Sequence, residues 1–183
     1  MKELKIYARA GQGAITSAAI LGQALFLEGK YAYAFPNFGA ARMGAPMNAF
    51  LRFDNKPVRA HCQVYSPDYV VIIEPALTKV LDCFKGLKEE GIVVINIRKG
   101  EELPCLDKQR VVGISAEEIA LETIGKPFAN TPLLGAFAKA TGQIKLESML
   151  KAIEMHFSDK KEILEKNLEA ARKGYEAVNE TAI

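Results

Sequence analysis

Leu4-Lys5-Ile6-Tyr7-Ala8-Arg9-Ala10-Gly11-Gln12-Gly13-Ala14-Ile15-Thr16 decides the class of the fold. Leu4 to Ala8 has the composition of a strand, and Gly11-Gln12-Gly13 makes a sharp turn. From Ala14 to Leu27 the chain is small and aliphatic around most of a helical circumference, which predicts a largely buried helix. Gly29 is placed to end it as a residue free to take positive φ. A strand, a glycine turn and a buried helix in that order are the opening of an α/β fold.

The pattern repeats outward. Tyr31-Ala32-Tyr33-Ala34-Phe35 alternates and reads as a second strand. Met47 to Phe53 reads as a third, Asp54-Asn55-Lys56-Pro57 as a turn, and Val58-Arg59-Ala60 as the return of a hairpin. Tyr69-Val70-Val71-Ile72-Ile73, Ile92 to Asn96 and Arg110 to Ile114 are β-branched runs of the kind buried on both faces of a parallel sheet. Leu77 to Phe84 predicts a short helix, and Ser115-Ala116-Glu117-Glu118 an N-cap for another that reaches Thr123. Thr131 with Pro132 predicts the start of a helix to about Lys139. Leu146 to Phe157 and Asp159 to Val178 follow as helices, the last with a solvated charged face. The expectation is a three-layer α/β/α sandwich over residues 1–183, with a mixed, mostly parallel sheet and a helical C-terminal part from about residue 131.

Composition narrows the function. The chain has 183 residues, 49% hydrophobic and 25% charged, with a net charge of +2, so neither nucleic acid nor an anionic membrane is called for. No apolar run has the length of a membrane span, and Met1-Lys2-Glu3-Leu4 leads directly into a strand, so a cytoplasmic location is expected. Cys62, Cys83 and Cys105 are odd in number and far apart, and they lack the short spacings of cluster and zinc sites. His61-Cys62 and His156 read as surface residues, and the expectation is no metal held by this chain.

Two segments carry specific information. Gly11-Gln12-Gly13-Ala14-Ile15-Thr16 lies where a dinucleotide fingerprint would, but Thr16 replaces the third glycine and no acidic residue ends the second strand. Two readings stay open: a tight strand-to-helix turn, or a site for a lone phosphate or carboxylate to which Thr16 adds a hydroxyl. Ala34-Phe35-Pro36-Asn37-Phe38-Gly39-Ala40-Ala41-Arg42-Met43-Gly44-Ala45-Pro46 is a loop of defined shape with Arg42 as its single charge. Glu74 and Asn96 close buried strands and read as turn or cap residues. No nucleophile elbow or phosphate-loop lysine is present, and no catalytic residue is assigned.

Ala10-Gly11-Gln12-Gly13-Ala14, Ala34 to Gly39, Gly44-Ala45-Pro46, Ser66-Pro67-Asp68-Tyr69, Asn130 to Lys139 and Lys166 to Ala177 together resemble the gamma subunit of the 2-oxoacid:ferredoxin oxidoreductases, closest to the pyruvate branch. The resemblance implies an accessory subunit of an enzyme that oxidatively decarboxylates a 2-oxoacid, transfers the acyl group to coenzyme A and reduces ferredoxin. It implies that thiamine diphosphate, magnesium and iron–sulfur clusters are held by alpha, beta and delta-type partners, not by this chain. It further implies coenzyme A-side or anion contacts at Gly11, Gln12, Gly13, Thr16 and Arg42. A subunit interface would run through Phe35, Pro36, Asn37, Phe38, Gly39, Arg42, Gly44, Ala45 and Pro46. An exposed docking face would let the isolated chain form a homodimer. Two departures stand out: Ala8-Arg9-Ala10-Gly11-Gln12-Gly13 where the family has G-x-G-G-Q-G, and Ala41-Arg42-Met43 where it has Glu-Arg-Arg. The competing readings are a free-standing nucleotide- or coenzyme-binding α/β domain and a pure assembly module.

Overall fold

The computed structural model describes residues 1–37 and 43–178. Six strands form one sheet: β1 (Lys2–Arg9), β2 (Tyr31–Asn37), β3 (Pro46–Asp54), β4 (Tyr69–Ile72), β5 (Ile92–Asn96) and β6 (Arg110–Ile114). Their spatial order is β2-β3-β1-β4-β5-β6. β1, β4, β5 and β6 are parallel, while β3 runs antiparallel to both of its neighbours, β1 and β2. In β1, Leu4, Ile6 and Ala8 face one side and Tyr7 the other. Burying a Leu or Ile contributes about 1.5–3 kcal/mol, so a one-residue slip that turned Lys5 into the core would forfeit several such terms at once.

The sheet is mixed, as expected, but its antiparallel member arises differently. β2 and β3 pair with each other, Tyr31 opposite Asp54 and Asn37 opposite Asn48. Val58-Arg59-Ala60, expected as the return strand, is not in a strand. Both edges of β3 are already occupied, by β1 and β2, so no edge is left for it. The segment after β3 instead crosses the sheet as a loop and supplies backbone carbonyls to a buried arginine.

Among the described residues there are five helices: α1 (Ala14–Leu27), α2 (Ala116–Thr123), α3 (Asn130–Thr141), α4 (Leu146–His156) and α5 (Lys161–Ala177). All five contribute to the larger core, on the side of Leu4, Ile6, Leu51, Val71 and Val94. α3 and α5 touch backbone to backbone. A Cβ on Gly135 would run into the carbonyl of Ala171, and one on Gly174 into that of Pro132. Glycine is required at both places for the approach, not for a turn.

The second face, carrying Tyr7, Val70, Ile72, Val93 and Ile95, has a thinner cover. The predicted helix from Leu77 to Phe84 is a 3-10 turn over Pro75–Lys79, followed by loop. Its apolar residues are not wasted: Leu77, Cys83, Phe84 and Leu87 are laid against the sheet as separate plugs. Burial pushes the Cys83 thiol up to about 11, which keeps it an inert core residue.

Two predicted caps are also replaced. α3 begins at Asn130, because Ala129 is already helical, so Thr131 sits inside the first turn. Its hydroxyl bonds Asn167 on α5 at 2.7 Å instead of capping its own helix. Ser115 precedes α2 without a side-chain capping bond. The second amide of that helix, Glu117 N, donates to Asn96 Oδ1 at the end of β5 (3.3 Å). Asn96 is thus a cap supplied by a neighbouring strand.

Candidate functional site

α1 and α3 both point their N-terminal ends at the region beyond the carboxyl end of β1, where a cleft of about 430 Å³ opens. Ligands of open α/β sheets gather at such places. The turn that starts α1 is set by Gly11 at φ +100° and Gly13 at φ +83°. A Cβ at Gly13 would also lie 2.8 Å from Asn130 Nδ2, so another residue there would strain the backbone and push the Asn130 side chain aside.

What distinguishes the cleft is the number of donors left without acceptors. α1 has no side-chain cap and no acidic residue in its first turn, and its first internal bond is Ser17 N to Gly13 O. The amides of Ala14, Ile15 and Thr16 therefore have no partner among the described residues. α3 likewise lacks a side-chain cap, and Pro132 brings no donor to its first turn. Asn130 is only 9% exposed, lines the cleft, and its side-chain amide has no intramolecular partner among the described residues. Its polar atoms are open to the cleft, where water or a ligand can satisfy them; among the described residues the buried side-chain oxygen without a partner is Ser17 Oγ, on the first turn of α1. Lys126 and Lys166 stand on the rim, and Phe128, Phe157 and Ile163 give an apolar wall. Two helix N-termini, a carboxamide and two ammonium groups suit an anion, with apolar surface beside it for the body of a ligand.

Gln12 behaves otherwise. Its side-chain Oε1 accepts from Arg9 N (2.7 Å) and its Nε2 donates one hydrogen to Glu74 (2.8 Å), so the orientation of the amide is fixed inside the chain. Glu74 is 6% exposed, caps the 3-10 turn by accepting from Ala76 N (3.1 Å), and pairs with Arg98 (3.0 Å). Burial alone would raise its pKa, but the bonds from Arg98, Gln12 and Ala76 outweigh burial and hold it below the usual carboxylate range. Arg98 also grips Glu117 (2.8 Å). Glu117 holds Arg98, and Asn96 accepts from the Glu117 amide; neither residue lines the cleft that Gly11, Gly13, Thr16 and Asn130 share.

The sequence-expected residues fall into three places. Gly11, Gln12, Gly13 and Thr16 come together on the cleft. Gly44 and Ala45 are bonded to the same turn, through Gly44 N to Ala10 O (3.1 Å) and Ala10 N to Ala45 O (2.9 Å). Pro46 opens β3, opposite Arg9. Phe35 and Pro36 lie beyond α1, around a small hollow with Ile15, Ala18 and Ala19. Asn37 ends β2, where its side chain accepts from Gln63 (3.3 Å). Phe38, Gly39 and Arg42 fall outside the described residues. Reading by element alone missed Asn130 and Glu74 as parts of one site. Asn130 stood inside a quoted motif, and Glu74 was placed correctly at the sheet edge but without its partner.

Cys62 and Cys105 are exposed, in separate loops, and Cys83 is buried under the second face. Among the described residues, no three His, Cys, Asp or Glu side chains come together as a metal site. No helix among them is long and apolar enough to cross a membrane.

The model of the family described as "pyruvate ferredoxin/flavodoxin oxidoreductase" matches residues 3–177. The chain belongs to that family. It is 50% identical over 180 residues to the "pyruvate/ketoisovalerate oxidoreductases common subunit gamma" of Pyrococcus furiosus, covering 96% of each chain. It is 48% identical over 183 residues to "pyruvate synthase subunit PorC" of Methanothermobacter thermautotrophicus, covering 100% of this chain and 99% of that one. The crystal structure of pyruvate oxidoreductase subunit PORC from Thermotoga maritima superposes with a TM-score of 0.76 at 35% identity, covering 96% of each chain. The sheet, the five helices and the C-terminal helical part described above are therefore the fold of a pyruvate oxidoreductase family member.

Proposed function

We propose that this chain is the gamma subunit of a multisubunit 2-oxoacid:ferredoxin oxidoreductase acting on pyruvate. The enzyme would release carbon dioxide, pass the acyl group to coenzyme A and send two electrons to ferredoxin. Residues 1–183 would form one gamma-type unit in the cytoplasm. The names of the relatives support an accessory role: a gamma subunit common to pyruvate and ketoisovalerate enzymes does not itself select the 2-oxoacid. Thiamine diphosphate, magnesium and the iron–sulfur clusters belong on this reading to the alpha, beta and delta-type partners. The three separated cysteines of this chain do not fit a cluster.

The observation that carries the site reading is the set of unspent donors around the cleft. Coenzyme A is rich in phosphate, and the amides of Ala14 to Thr16, the Asn130 carboxamide and Lys126 have the chemistry to hold one, with Lys166, paired to Glu162 at 3.3 Å, beside them. Gly11 and Gly13 would let the ligand approach the backbone, and Thr16 would add a hydroxyl. Phe35, Pro36, Asn37, Gly44, Ala45 and Pro46, with Phe38, Gly39 and Arg42, would form the surface against the catalytic partner. Met43, 89% exposed with its sulfur close to Gly11, presents an apolar side chain that a partner would cover.

Purification of the tagged chain from its native cells tests the proposal. Recovery of larger subunits, with pyruvate- and coenzyme A-dependent reduction of ferredoxin, is expected. Recovery of the chain alone, with coenzyme A bound to it, would favour a free-standing coenzyme-binding domain.

A further inference from the structure

The donors of the glycine turn are aimed by a chain of bonds that starts outside the cleft. Gly11 and Gly13 permit the positive φ of the turn without enforcing it, and the turn's internal backbone bond is Gln12 N to Arg9 O (3.0 Å). The side chain of Gln12 supplies what they lack. One end of its amide is fixed to Arg9 N and the other to Glu74 Oε2. Glu74 is in turn gripped by both terminal nitrogens of Arg98, at 3.0 and 3.3 Å. The same guanidinium binds both oxygens of Glu117 on the first turn of α2, at 2.9 and 2.8 Å. The carboxyl ends of β1, β4 and β5 and the start of α2 are thereby tied into one polar lattice of fixed length. It places two carboxylates near an anion cleft, an arrangement that opposes anion binding unless their charge is spent elsewhere. Here it is spent on Arg98 and on the amides of Gln12 and Ala76.

We propose that Glu74 is a positioning residue: acting through Gln12, it holds the Gly11–Gly13 turn so that the first amides of α1 face the ligand. This rests on the reading of the cleft as the coenzyme A site. On this proposal Glu74, which does not line the cleft, acts on the ligand only through Gln12 and the turn.

The test uses the assembled complex with Glu74→Ala, Gln12→Ala, the double variant, and Asn130→Ala as an independent probe of the cleft. Turnover and the KM for coenzyme A are measured, together with hydrogen exchange of the amides of residues 13–17. Glu74→Ala and Gln12→Ala are each expected to raise the KM about tenfold, with kcat within about twofold, and to speed exchange at those amides. The double variant is expected to be no worse than either single one, since both break the same link. If Glu74→Ala prevents assembly, Gln12→Ala, a smaller lesion at the other end of the bond, carries the comparison. A KM unchanged in Gln12→Ala while Asn130→Ala raises it would overturn the proposal and leave the cleft reading standing. A KM unchanged in Asn130→Ala as well would overturn both. Additive effects of the two single variants would also overturn it, because they would then act by separate routes.

Discussion

Arg52 and the first turn of α1 lie on opposite faces of the sheet and treat their hydrogen-bond donors in opposite ways. Arg52 is 2% exposed and keeps nothing in reserve. Its Nε binds Glu3 (2.7 Å), and its terminal nitrogens bind the carbonyls of Ala60 (3.2 Å), Cys62 and Gln63 (3.0 Å). Its planar group lies 5.5 Å from the Phe35 ring. The helix start has amides, and beside them a carboxamide, without intramolecular partners among the described residues. A saturated cluster holds the fold, and an unsaturated one is ready for something that is not part of the chain. The charge is in the wrong place for a quick guess: the buried arginine is structural, and the site is built mostly from uncharged donors.

The largest effect should come from breaking the saturated cluster. Arg52→Met strands Glu3 and three carbonyls, and removing one partner of a buried pair typically costs about 3–5 kcal/mol. Chemical denaturation should show a loss on that scale. A loss below about 1 kcal/mol would mean that the loop carries itself, and the contrast would fail. Gly13→Ala comes next. Left-handed backbone costs an ordinary residue about 1–2 kcal/mol. The added methyl also pushes on Asn130, so a raised KM for coenzyme A is expected alongside a lower melting temperature. A stability loss with unchanged KM would separate the turn from the cleft.

A smaller, pH-dependent effect should appear at Asp68, which ties Lys2 (2.9 Å), Lys88 (2.8 Å) and the amide of Glu3 (2.9 Å). Burial works to raise its pKa, but these three donors prevail and hold it below the usual carboxylate range. A depressed folded-state pKa gives stability that is full above the unfolded value and is lost as pH falls through the folded one. Asp68→Asn should therefore flatten the acid limb of a stability profile while leaving coenzyme A kinetics at neutral pH unchanged. An unchanged acid limb would remove Asp68 from the structural side of the comparison.

Much of the fold was legible because its signals are local. The runs at Val70–Ile73 and Ile92–Asn96 have one reading, and the apolar circumference of Ala14 to Leu27 has one reading. Failures came where the deciding partner is distant in sequence. Val58–Ala60 looked like a strand, but strand order left it no edge. Arg52 sat in a strand pattern with nothing to say that Glu3 lies directly opposite it. Thr131 carried a capping signature, yet its hydroxyl is taken by Asn167 on another helix. The glycine turn was legible as anion-friendly. Asn130 joins it only because α3 is folded over α1, and no periodicity reports that. Glu74 was recognised as a cap, but its link to Gln12 spans 62 positions.

The most direct test of the account is Asn130→Ala in the assembled enzyme. Among the described residues the side chain has no intramolecular hydrogen bond to lose, so stability should change by no more than about 0.5 kcal/mol. Losing one hydrogen bond to a charged ligand costs about 1.5 kcal/mol or more, which is roughly tenfold in affinity. The account predicts a KM for coenzyme A raised about tenfold, with kcat and the KM for pyruvate unchanged. A complex that keeps its KM for coenzyme A while losing stability would contradict it, because the cleft would then be packing and not a site.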